Sequence, residues 1–188
     1  DIEQACKDIV KAIDLRKNFP PYVKLHLEIL SQMNNLKILK KNIKNYWYTS
    51  PNTILRNVIK NIIIKNKIDT LEFIKQIIKH NSEYEESKKL LIFFAIRNQD
   101  WKTARANING LIGTNPSKEI CLYMADIELG ENSDKQKSDA WILRSQNARD
   151  EYKWTCQVTK QTQDEWQPLS DSGNFNSLVW YDSKMLNS

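Results

Sequence analysis

Four short segments of this sequence open on Asn or Asp and then turn apolar. They are Asn35 to Leu39, Asp69 to Phe73, Asp100 to Ala104, and Asp134 leading to Ala140 and Trp141. The steps between their first residues are 34, 31 and 34. Asn and Asp start helices because their side chains accept bonds from the first free amides. Pro51 and Pro116 each stand 16 residues after Asn35 and Asp100. Proline there stops one helix and opens the next. A period near 34, with a turn inside it and Pro at its end, is the tetratricopeptide signature. Each unit is a pair of antiparallel helices that cannot bury its apolar faces alone, so stacked neighbours complete the core.

The apolar spacing agrees. Val23, Leu27 and Leu30 fall on one helical face, and so do Ile38, Leu39, Ile43 and Tyr46. Leu71, Ile74, Ile77 and Ile78 form a stripe, as do Leu90, Leu91, Phe94 and Ala95, and then Ile120, Met124 and Ile127. These are core faces of amphipathic helices. The predicted helices run over 2–17, 21–33, 36–47, 52–65, 69–80, 84–98, 101–112, 117–130 and 136–149. Only four Gly and five Pro occur in 188 residues, fewer than a turn-rich sheet protein needs. The fold class expected is all-α: a right-handed tetratricopeptide-like solenoid over 1–150, with a short extended tail over 151–188. Small residues are only partly present at the close crossings. Ala104 is one, while Leu39 and Phe73 stand at equivalent places, so irregular packing is expected.

Charge narrows the partners. Between Lys11 and Lys67 twelve Lys or Arg face two acids, a local balance of +10. From Trp101 onward ten bases face twelve acids. A basic first half suits an acidic protein, an anionic lipid surface or plain solvation. No nucleic-acid motif accompanies it, so no nucleic-acid partner is expected. The apolar run Ile62 to Ile64 is cut by Lys65 and Lys67, far short of the roughly 20 residues of a membrane span. The chain opens at Asp1 inside a helical pattern, without Met, which reads as part of a longer parent. Cys6, Cys121 and Cys156 form no CxxC pair and read as reduced thiols in a reducing compartment.

After Arg149 the pattern changes. Trp154 to Val158, Glu165 to Pro168 and Leu178 to Tyr181 are short, aromatic and separated by polar turns. They read as short strands or extended segments, with Trp154, Trp166 and Trp180 packing together or against the last helix.

These residues carry a resemblance. The run Asp100 to Arg105, Pro116, Cys121 to Glu128 and Ala140 to Arg144 resembles the C-terminal part of the HemY family. So do Ala148 to Asp150, Trp154 to Cys156, Glu165 to Pro168 and Phe175 to Trp180 in the tail, and Tyr46, Trp47 and Pro51 upstream. HemY proteins are bacterial tetratricopeptide proteins anchored in the inner membrane and linked to haem synthesis. The resemblance implies a non-catalytic scaffold for late haem-pathway enzymes. Its membrane helices would precede this chain, and this domain would lie on the cytoplasmic side. The alternatives are a LapB-like adaptor for lipopolysaccharide-assembly enzymes and a haem or porphyrin carrier.

In some relatives the tail looks like a zinc ribbon with two CxxC pairs. Here Cys156 stands alone, with Thr159 in its partner's place and Ser170 and Ser172 near the second pair. One thiol cannot hold a structural zinc, so no metal and no cofactor are expected. No GxGxxG turn occurs, so a dinucleotide site is not expected. No motif joins a nucleophile to a base either, so no catalytic residue is assigned. Glu83, Glu85 and Glu86 read as a helix-start cluster answering the positive helix end. His26 and His80 read as a satisfied or solvent-facing side chain and a helix-end cation, not as haem ligands.

The partner surface expected is the groove lined by the first helix of each pair. Lys24, Glu28 and Gln32 on the first, and Lys89 and Arg97 on the third, are its candidate contacts for an acidic peptide or C-terminal carboxylate. Lys40, Lys41 and Lys44 lie on a second helix, where they would serve an anionic bilayer instead.

Overall fold

The computed structural model describes residues 1–68, 71–113, 115–148 and 152–181. It is mostly helical, with a small sheet in the tail. Among the described residues there are nine helices: α1 (Ile2–Leu15), α2 (Pro20–Gln32), α3 (Leu36–Thr49), α4 (Thr53–Lys65), α5 (Leu71–Ile78), α6 (Glu85–Arg97), α7 (Trp101–Ile108), α8 (Lys118–Asn132) and α9 (Lys135–Gln146). Each falls within a few residues of its predicted span. Asp69, Arg149 and Asp150, which the sequence reading also used, lie outside the described residues. So does the predicted boundary at 150. Among the described residues no helix is long and apolar enough to cross a membrane.

The caps form as the sequence reading expects. Asn35 accepts from the Ile38 amide at 3.1 Å, Asp100 from Thr103 at 3.0 Å and Asp134 from Lys137 at 2.9 Å. Just before each cap the chain makes the same joint. A residue with positive φ follows each of α2, α4, α6 and α8: Asn34 (55°), Lys67 (53°), Gln99 (57°) and Ser133 (54°). They recur at intervals of 33, 32 and 34 residues. None is Gly, although L-residues adopt this conformation only at a cost. The next amide then reaches back into the finished helix: Ile68 to the Ile63 carbonyl at 3.0 Å, Asp100 to Ala95 at 2.8 Å, Asp134 to Glu128 at 3.1 Å. Asn66 and Asn98 close the same joint with side-chain bonds to Ile62 and Phe94.

The chain divides into two compact units, 1–111 with 130–133, and 112–129 with 134–188. In the first, α2 packs on α4 and α4 on α6, while α3 packs on α5. Consecutive helices also pack, α1 on α2, α2 on α3, α5 on α6 and α6 on α7. The core runs through Leu27, Leu39, Ile43, Trp47, Ile59, Ile63, Ile74, Leu90 and Phe94. The stripe on α3 is Leu39, Ile43 and Trp47; Ile38, beside it, is 44% exposed. Neighbouring pairs exchange polar bonds at about one period. Asn66 donates to Ser31 Oγ (2.8 Å), Asn81 to the Trp47 carbonyl (2.8 Å) and Thr53 to Glu86 (3.1 Å). Ala104 is fully buried.

One polar cluster lies deep between α4 and α6. The Arg56 side chain is fully buried, and its Nε lies 2.9 Å from Glu86 Oε2. Lys89 pairs with Glu85 at 2.8 Å and lies 3.9 Å from Glu86. Glu86 therefore does more than answer the helix end: it neutralises a guanidinium on the previous pair.

In the second unit the tail carries β1 (Lys153–Cys156), β2 (Thr162–Gln163) and β3 (Leu178–Tyr181), antiparallel in the order β2-β1-β3. Trp154 pairs with Gln163 on one side and Trp180 on the other. The Trp154 and Trp180 rings meet edge-on at 5.2 Å, and Trp166 is half-buried. The middle strand departs from the expected Glu165 to Pro168. Lys160, at φ 62°, turns the chain at once. Cys156 and Gln161 close that turn at 2.9 Å, so the return strand begins at Thr162.

Candidate functional site

The groove candidates occupy two helices. Lys24, Glu28 and Gln32 make one stripe along α2, the first two half-buried and Gln32 exposed. Arg97 is exposed in the last turn of α6. The trio and α6 are separated by α4, which packs on both helices. Lys89 is different: it is buried, and its ammonium is held by Glu85 and Glu86. Its charge is engaged within its own helix.

A second charged surface lies on α3 and α5. Lys37, Lys41, Lys44 and Tyr48 stand at i, i+4, i+7 and i+11 along α3, all exposed. Beside them, Lys44, Asn45 and Tyr48 line a cavity of about 440 Å³ with Gln76, Ile77, Lys79 and His80. Tyr48 meets His80 edge-on at 5.4 Å. The C-terminal ends of α3 and α5 thus lie side by side. A helix C-terminus carries roughly half a negative charge, which suits Lys79 and His80. That argument fails for Lys37, which sits in the first turn of α3, where the dipole disfavours a cation. No ion pair engages Lys37, Lys41, Lys44 or Lys79 among the described residues. This surface was only partly visible in sequence, because Lys79 and His80 are some 35 residues from Lys44.

His26 is buried and held on both ring nitrogens. Nδ1 lies 2.6 Å from Tyr46 Oη, and Nε2 lies 3.7 Å from Cys6 Sγ. Burial pushes its pKa down. Tyr46 is pushed up to about 12, first by burial and then by Cys6 and Asp14. The sequence holds no signal for this trio, since its members lie 20 residues apart on three helices.

In the tail two tight turns face each other. One runs from Cys156 to Gln161. The other is closed by the Gly173 amide on the Ser170 carbonyl at 2.8 Å, with Gly173 at φ 79°. Between them Thr159 Oγ1 meets Ser172 Oγ at 3.1 Å, and Ser170 Oγ meets Ser172 Oγ at 3.0 Å. Cys156 Sγ receives Ser172 at 3.5 Å and Ser170 at 3.8 Å, and Ser177 stands 3.3 Å away. These hydroxyls, Ser177 first and then Thr159, hold the thiol down to about 5, while burial pushes the other way. The four positions named from the sequence do converge. Structural zinc, however, is closed by four Cys or His ligands, and this cluster offers one sulfur and hydroxyls. Among the described residues no three His, Cys, Asp or Glu gather as metal ligands. The residues do not fit zinc.

No protein-family model, curated protein or solved structure matches this chain.

Proposed function

We propose that this chain is a non-catalytic interaction scaffold, a tetratricopeptide-like right-handed stack whose partner is an acidic protein segment. The recurring joint at Asn34, Lys67, Gln99 and Ser133 carries this reading. A recurring turn, and bonds from residue to residue across about one period, support an assembly of stacked pairs. Such stacks present extended surfaces for partners. The resemblance to HemY proteins supplies the setting: a membrane-anchored parent and late haem-pathway enzymes as partners. A LapB-like adaptor role is the alternative on the same fold. Haem carriage finds less support, because an axial ligand needs a free nitrogen and both nitrogens of His26 are engaged.

The groove reading places Lys24, Glu28, Gln32 and Arg97 against the partner. A second reading is favoured by the cations along α3 and α5, which suit an anionic bilayer. Binding of a Glu-rich peptide and of anionic vesicles, each across a salt series, separates the two. Reversal of Lys24 and Arg97 to Glu is expected to weaken peptide binding at least tenfold and to spare the helical signal. Reversal of Lys41, Lys44 and Lys79 is expected to matter less for the peptide. If only the second set matters, and vesicles bind in its place, the surface docks on lipid and the groove reading fails. Lys89 is unsuitable for reversal, since a third carboxylate beside Glu85 and Glu86 would unfold the site.

A further inference from the structure

We infer that Cys6 is a modification site, a thiol primed by His26 to take small, uncharged electrophiles. Three observations carry this beyond the scaffold reading and independently of it. First, Cys6 Sγ lies 3.7 Å from His26 Nε2, within reach for a bond to sulfur, and His26 Nδ1 lies 2.6 Å from Tyr46 Oη. A nucleophile, a base and a group that orients the base form the arrangement that activates side-chain nucleophiles. Second, the base is available. His26 is buried, and burial favours the neutral imidazole, whose Nε2 lone pair can accept from the thiol, while the same burial opposes a lasting imidazolium. In the tautomer this requires, Nδ1–H donates to Tyr46 Oη and the Nε2 lone pair faces Sγ. Third, Cys6 is the one thiol of three that solvent reaches. Cys121 is fully buried and its pKa is raised by that burial. Cys156 has the hydroxyl-stabilised thiolate, but it is only 1% exposed. Cys6 is half-buried against the apolar core, which suits a small neutral reagent better than a charged one.

The chemistry with iodoacetamide as probe is a direct displacement. The sulfur attacks the methylene carbon, the S–C bond forms as the C–I bond breaks, and iodide leaves. The thiol proton passes to His26 Nε2, and Tyr46 Oη holds the imidazolium from the other side. The resulting adduct stands between α1 and α2, the pair that Cys6 and His26 join.

The test is the rate of iodoacetamide labelling on the native full chain, resolved by peptide mass spectrometry. Cys6 is expected to label first, with Cys121 and Cys156 at least tenfold slower. His26→Asn is expected to slow Cys6 at least tenfold, and Tyr46→Phe to slow it by less. Far-UV dichroism checks each variant. If His26→Asn loses its helical signal, the Tyr46→Phe comparison decides, because it keeps the ring and removes only the hydroxyl. Labelling of Cys6 at an equal rate in wild type and in the folded variants would mean plain exposure and overturn the proposal. Labelling of Cys156 or Cys121 ahead of Cys6 would overturn it as well. Neither result bears on whether acidic peptides bind, so the scaffold reading stands or falls by its own assay.

Discussion

At the scale of single residues, Arg56 and Glu86 are the most exacting pair. Taking a guanidinium out of water is tolerated only when a carboxylate meets it. Glu86→Ala removes that carboxylate from beside a buried guanidinium, with Lys89 adding a second positive charge nearby. Urea unfolding of Glu86→Ala is expected to show a loss of roughly 3–5 kcal/mol. A midpoint within error of the wild type would mean that Glu86 is not needed to hold the guanidinium. Tyr46 offers a separate handle through pH. Its folded pKa of about 12 lies above its ordinary 10.0. The protonated phenol is therefore favoured by folding, and the stability it contributes is complete below pH 10. That stability is lost as pH rises through about 12. Tyr46→Phe has no such proton to lose, so its alkaline melting curve should be flatter than that of the wild type between those limits. Identical curves would show that Tyr46 is not linked to folding.

At the scale of elements, the helices were legible because their causes are local. A cap such as Asn35 or Asp100 acts within three residues, and the stripe Leu90, Leu91, Phe94 and Ala95 repeats within one helix. What was not legible depends on distant residues meeting. Arg56 and Glu86 are 30 positions apart, and nothing in either helix marks the other. The Cys6, His26 and Tyr46 trio is hidden for the same reason. In the tail, the zinc-ribbon likeness singles out Thr159, Ser170 and Ser172, which the structure gathers around Cys156, while Ser177 belongs to no CxxC-like spacing and carries no such signal. The start of the middle strand at Thr162 is not legible in sequence, because the αL turn at Lys160 has no Gly to announce it. Gly130 in α8 shows how far a close approach can outweigh propensity. Alanine is the better helix former by about 1 kcal/mol, yet a Cβ at Gly130 would overlap the Trp101 ring. Gly130→Ala is therefore expected to destabilise by roughly 1–3 kcal/mol, read from thermal melting. A gain in midpoint would show that the ring moves aside freely.

At the scale of the whole chain, the tail's hydroxyl-lined thiol presents one sulfur where a structural zinc takes four Cys or His ligands. Prolonged chelation is expected to leave both the helical signal and the tryptophan fluorescence unchanged. A fluorescence change that added zinc reverses would contradict this. The first unit raises a different matter, that of order. Its joints are interchangeable: Asn66 and Asn98 close their helices with the same side-chain bond, and the residue after each takes the same backbone conformation. Turns alone would let one pair follow another in any sequence. The buried guanidinium of Arg56 narrows that freedom, because it favours a neighbour that brings a carboxylate to its own height. Glu86 of α6 brings that carboxylate, so α4 carries an address that α6 answers. Two copies of the chain that exchanged helices would have to exchange like for like. A chain that skipped the pair containing α6 would bury that guanidinium without the Glu86 carboxylate at the splice.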